Sequence, residues 1–76
     1  MKQNILARVF RDDDGYVVEC SDLHAVTQGG SLDEAIANLR EIVALALTDS
    51  DPSEYGLVHD PGVLVTLELE PLARAG

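Results

Sequence analysis

The sequence predicts one small α+β domain with the element order β-β-β-α-β, a mostly antiparallel sheet, and a single helix packed on one sheet face. Three observations predict it. The chain has 76 residues, room for one domain and no more. Apolar residues alternate with period two near both ends, and recur at helical spacing only between residues 32 and 47. Clusters of turn-forming residues separate these runs.

The first strand covers residues 3–11, where Ile5, Ala7 and Val9 alternate with Leu6, Arg8 and Phe10. Asp12-Asp13-Asp14-Gly15 follows as a turn, with Asp14-Gly15 the hairpin signal and Gly15 free to take left-handed backbone angles. The second strand, residues 16–20, puts Tyr16, Val18 and Cys20 on one side. Ser21-Asp22-Leu23-His24 turns the chain into a short third strand, residues 25–28, which Gly29-Gly30 stops. Ser31 begins the helix. Its hydroxyl can accept the N–H of Glu34, and the Glu34 carboxylate can reach back to the N–H of Ser31, which makes a capping box. Leu32, Ala35, Ile36, Leu39, Ile42, Val43, Ala46 and Leu47 form its apolar face. Residues 49–62 are an acidic connection ending in an Asp60-Pro61-Gly62 turn. The last strand, residues 63–69, presents Val63, Val65, Leu67 and Leu69 on one face and Leu64, Thr66 and Glu68 on the other. Pro71 closes it. The domain is assigned to residues 1–70, with a frayed tail at 71–76.

Fourteen acidic residues against five basic ones give a net charge of −9. Such a field repels phosphate backbones and speeds encounter with a basic protein. Direct nucleic-acid binding is therefore not expected, although acidity also serves plain solubility. Cys20 is the only cysteine, so no disulfide forms within the chain, and a lone thiol without a secretory segment points to the cytoplasm. No run of residues is long and apolar enough for a membrane span.

A chain this short buries only ~60% of the surface its unfolded form exposes. One helix covers one face of a sheet. Leu6, Phe10, Val17 and Leu64 are left on the other face, with Arg8, Glu19, Thr66 and Glu68 among them. Exposed contiguous apolar surface marks a protein interface, so these four are the expected contacts of a homodimer or higher oligomer.

Few residues suit chemistry. Cys20 and His24 are the only nucleophile and base close in sequence, but Cys20 faces the core, where a thiol is inert. His24 and His59 lack companion ligands at zinc spacing. Asp12, Asp13 and Asp14 lack the ligand pattern of a calcium loop. Gln28-Gly29-Gly30-Ser31 has no lysine and is a strand stop with a helix cap, not a phosphate loop. Glu19, Glu34 and Glu68 sit on different elements, and a two-metal nuclease would require them to converge. No enzyme activity and no cofactor or metal is expected.

The stretches Gly15-Tyr16-Val17-Val18-Glu19-Cys20-Ser21-Asp22-Leu23, Val26-Thr27-Gln28-Gly29-Gly30-Ser31-Leu32-Asp33-Glu34-Ala35 and Asn38-Leu39-Arg40-Glu41 together resemble the HicB antitoxin family. The match runs from about residue 5 to residue 47, departing where His24-Ala25 stands in place of the usual Pro-Gly. The resemblance implies a reduced ribonuclease-H-like fold without its catalytic carboxylates. It also implies a partner: a small basic HicA-type toxin that cuts mRNA, neutralised when its RNA-binding surface is covered. The residues after Leu69 are too few for that family's usual DNA-binding segment, so regulation through DNA is not expected of this chain.

The leading expectation is therefore a HicB-like antitoxin domain. Its candidate toxin-facing residues are Asp12, Asp13 and Asp14 in the turn, Asp22 and His24 in the second connection, and Asp49, Asp51 and Glu54 after the helix. The alternatives are a stand-alone oligomeric protein-binding module and a metal-dependent nuclease remnant.

Overall fold

The computed structural model of the chain describes residues 1–69. The tail expected at 71–76, and Pro71 with it, lies outside the described residues. Four strands form one sheet in the order β3-β2-β1-β4. They are β1 (Lys2–Asp12), β2 (Gly15–Cys20), β3 (Ala25–Gly29) and β4 (Leu57–Glu68), with helix α1 (Leu32–Asp49) between β3 and β4. β1 pairs with β2, and β2 with β3, antiparallel; β4 joins β1 in parallel. The fold is the α+β arrangement that the sequence predicts.

β3 and β4 run in the same direction at opposite edges, so the chain must cross over the sheet between them, and α1 makes that crossing. Its start is set by Ser31, whose Oγ accepts the Glu34 N–H at 3.1 Å. The reciprocal arm of the capping box is not formed among the described residues. The helix docks because Ala35, Leu39 and Val43 recur on one face and bury against Ile5, Ala7, Val9, Val18 and Cys20 of the strands. Gly29 permits the close approach: a Cβ there would stand 2.5 Å from the Ala35 nitrogen. Asn38 adds a polar tie, its Nδ2 donating to the Gln28 carbonyl at 2.7 Å.

Three expectations are corrected. The left-handed residue of the first hairpin is Asp13 (φ 53°), not Gly15. Asp12 pairs with Gly15 in the ladder, and Gly15 is needed for space, since a Cβ there would meet the Gly29 carbonyl oxygen at 2.7 Å. The last strand starts six residues early, at Leu57, which is fully buried. The Asp60-Pro61-Gly62 signal makes no turn. It lies within β4, where the register against β1 slips between Lys2 and Asn4, and an edge strand tolerates proline at such an irregularity.

The third correction concerns coverage. Val63, Val65 and Leu67 lie beside Ile5, Ala7 and Val9 in the ladder and so share the helix-side face, yet they remain 42%, 37% and 43% exposed. Helix width explains this. An α-helix with its side chains is ~10 Å across and strands are ~4.8 Å apart, so one helix roofs about two strands of four. Here α1 lies over β2 and β3. Its side chains reach β1, and among the described residues the 63–67 stretch of β4 is left open on both faces.

Candidate functional site

The eight acidic and histidine candidates divide between the two ends of the sheet. Asp12, Asp13 and Asp14 are exposed at the β1–β2 hairpin tip. With Glu34, from the first turn of α1, they border an open concavity of about 550 Å3 floored by Gly15, Gly29 and Gly30. The hairpin and the helix start meet there because β2 and β3 are paired from Tyr16–Gly29 onward.

Asp22, His24, Asp49, Asp51 and Glu54 gather at the opposite end, where β1 begins and α1 finishes. Asp22 is engaged within the fold. Its carboxylate accepts Lys2 Nζ at 2.5 Å and the Leu6 N–H at 2.9 Å, and its side chain is only 6% exposed. These bonds, chiefly the Lys2 ammonium, hold its pKa below the usual carboxylate value. Asp22 therefore latches the second connection onto β1. His24 is exposed and takes a left-handed backbone (φ 53°) that ends the 3-10 turn Ser21–Leu23. Asp51 caps the 3-10 turn Pro52–Tyr55 through the Ser53 N–H at 2.9 Å, which lowers its pKa. Asp49, Asp51 and Glu54 are exposed.

Leu6, Phe10, Val17 and Leu64 do share the helix-free face. Leu6 stands beside Leu64, and Phe10 beside Val17. They do not form one apolar surface. Arg8 lies between the two pairs, bonded to Glu19 at 2.6 Å and to Glu68 at 3.1 Å, with its guanidinium 4.4 Å from the Phe10 ring centre. Paired charges across β2, β1 and β4 thus divide the face.

Glu19 and Glu68 are both committed to Arg8, whereas Glu34 stands at the helix start beside the hairpin tip. The three carboxylates of the nuclease alternative therefore do not converge. Among the described residues no three His, Cys, Asp or Glu side chains are grouped to hold a metal ion. Cys20 is buried, and burial raises its thiol pKa, away from the reactive thiolate. No helix among the described residues is long and apolar enough to cross a membrane.

One surface escapes the sequence patterns. Between α1 and β4 runs an apolar groove of about 380 Å3, bordered by Ile36, Leu39, Val43, Ala44, Val63 and Val65, with Arg40 the one charge among the described residues that line it. The period-two pattern identifies the inward face of β4 but not that the helix stops short of it.

The fold and these surfaces define a two-layer α+β domain with acidic ends, an ion-paired open face and an uncovered edge strand. Comparison with known proteins adds no relative: no protein-family model, no curated protein and no solved structure matches the chain.

Proposed function

We propose that the chain is a partner-binding domain of HicB-like type, which neutralises a small basic RNA-cleaving toxin of the HicA kind by covering its RNA-binding surface. The observation that carries this reading is where the resembling residues fall in the fold. Asp22 latches the second connection, Gly29 seats the helix, Ser31 caps it and Asn38 ties it to β3. The resembling residues thus serve the fold, and the β-β-β-α-β order agrees with the one the resemblance implies.

The chemistry left over favours binding. The charge of −9 draws a basic partner, and the exposed acids Asp12, Asp13, Asp14, Asp49, Asp51 and Glu54 offer it two footholds. Asp22 drops out of the contact set because its carboxylate is enclosed.

Co-expression tests the reading. A HicA-type toxin encoded beside this chain arrests growth alone, and growth resumes when the chain is supplied. Reversing Asp12, Asp13 and Asp14 to Lys slows association with the purified toxin and flattens its salt dependence. Continued arrest with the folded chain present at equal abundance, and no complex at low salt, refutes the proposal.

A further inference from the structure

We propose that the free edge of β4 is a self-association edge, on which a second copy of the chain docks antiparallel about a two-fold axis at Val65. The proposal does not rest on the antitoxin reading.

Strand order leaves β4 at the sheet margin, and among the described residues no strand pairs with its outer side. It is twelve residues long and carries exposed Val63, Leu64, Val65 and Leu67. Such an edge is a template for another strand, and proteins that remain monomeric usually blunt it with charge or irregularity. β4 is blunted only at its ends: Asp60, Pro61 and the register slip on one side, Glu68 on the other. The Val63–Leu67 window between them holds no charge, in a chain whose net charge is −9.

That window selects the occupant. A basic partner gains nothing from a groove whose one charge among the described residues is Arg40. A second copy gains in two ways. Antiparallel pairing centred on Val65 sets Val63 against the partner's Leu67 and Val65 against the partner's Val65, so the uncharged window meets only itself. It keeps the helix-side stripe of both copies on one face. Moving the centre to Leu64 would set Glu68 against the partner's Asp60, and moving it to Thr66 would set Glu68 against the partner's Leu64. Two-fold contacts of this self-complementary kind are the commonest in homo-oligomers. In this proposal the dimer contact is the β4 edge and not the Leu6, Phe10, Val17 and Leu64 face, which the Arg8 ion pairs divide.

Sedimentation equilibrium of the full chain, with cysteine cross-linking, tests this. The wild type shifts with concentration to twice the 8.2 kDa of one chain. Val65→Lys opposes two ammonium groups at the axis and weakens association at least tenfold while circular dichroism is kept. Val65→Cys needs only a conservative change. Directly opposed Cβ atoms lie about 4.5–5.5 Å apart in such pairs, so mild oxidation yields a covalent dimer, whereas Leu6→Cys yields none. Native Cys20 is 2% exposed and leaves the background clean. The proposal is overturned by a monomer mass at every concentration, by Leu6→Cys cross-linking as fast as Val65→Cys, or by a dimer that forms with neither cysteine cross-linking. Loss of toxin binding in Val65→Lys with the dimer intact also overturns it, assigning the edge to the toxin instead.

Discussion

Replacing Gly29 by Ala tests how closely the helix sits on the sheet, and Gly30 beside it supplies a matched control. A methyl group on Gly29 would lie 2.5 Å from the Ala35 nitrogen and 2.9 Å from its Cα. Comfortable carbon contacts are ~3.5–4.0 Å, so the first turn of α1 must move out by about 1 Å. Both obstructing atoms are backbone, and no rotamer change relieves them. Overpacking of this kind costs ~1–3 kcal/mol, offset by the ~0.4–1 kcal/mol that Ala gains by restricting the unfolded chain. The net loss is about 1–2 kcal/mol. A domain of this size loses ~4–8 °C in Tm per kcal/mol, which places the fall near ~10 °C. At Gly30 the nearest atom to a new Cβ is Glu34 Oε2 at 3.8 Å, an ordinary contact, and φ is not left-handed. Gly30→Ala therefore keeps the entropy gain and raises stability slightly. Urea and thermal unfolding followed by circular dichroism, at one fixed protein concentration, read both variants. If Gly29→Ala is as stable as Gly30→Ala, the close seating of α1 on β3 is wrong.

Other consequences follow from the same contacts. Asp22→Asn removes a charge-assisted latch and lowers stability at pH 7 by about 2 kcal/mol. Because the folded pKa of Asp22 lies below its unfolded value, this contribution is complete above the ordinary carboxylate range and disappears as pH falls through the lowered pKa. Urea titrations of wild type and Asp22→Asn should accordingly converge at acid pH, and a gap of constant size from neutral to acid would contradict the latch. His24→Gly relieves a left-handed backbone and raises the urea midpoint by the equivalent of about 0.5 kcal/mol; a lower midpoint would show that the imidazole itself contributes. Ser31→Ala loses the one formed arm of the helix cap, a cost of ~1 kcal/mol, readable in the same unfolding experiment, whereas Ser31→Asp keeps it.

Local patterns in the sequence account for most of the fold. Period-two alternation at Ile5, Ala7 and Val9 identifies the buried face of β1, and Ser31 with the Ala35, Leu39 and Val43 spacing places α1. What escapes is nonlocal. Leu57 belongs to β4 because it pairs in parallel with Lys2, fifty-five residues away in sequence, and no neighbouring residue signals that. Asp60-Pro61-Gly62 has turn chemistry, but β1 holds the chain extended on either side of it. Gly15 reads as a conformational glycine and Gly29 as a strand stop, when the requirement at both is space beside another backbone. The candidate site divides the same way. The exposed acids were legible from charge alone. The enclosure of Asp22 needs Lys2 and Leu6 brought beside it, and the groove along β4 follows from the width of one helix over a four-stranded sheet.

A titration of toxin activity tests most directly whether the chain acts by covering a basic protein. Cleavage of a labelled RNA by the purified HicA-type toxin is followed as the chain is added at low salt. The account predicts that cutting falls linearly to nothing at a fixed stoichiometric ratio, and that added salt restores part of it. Undiminished cutting at a large excess of folded chain would contradict it.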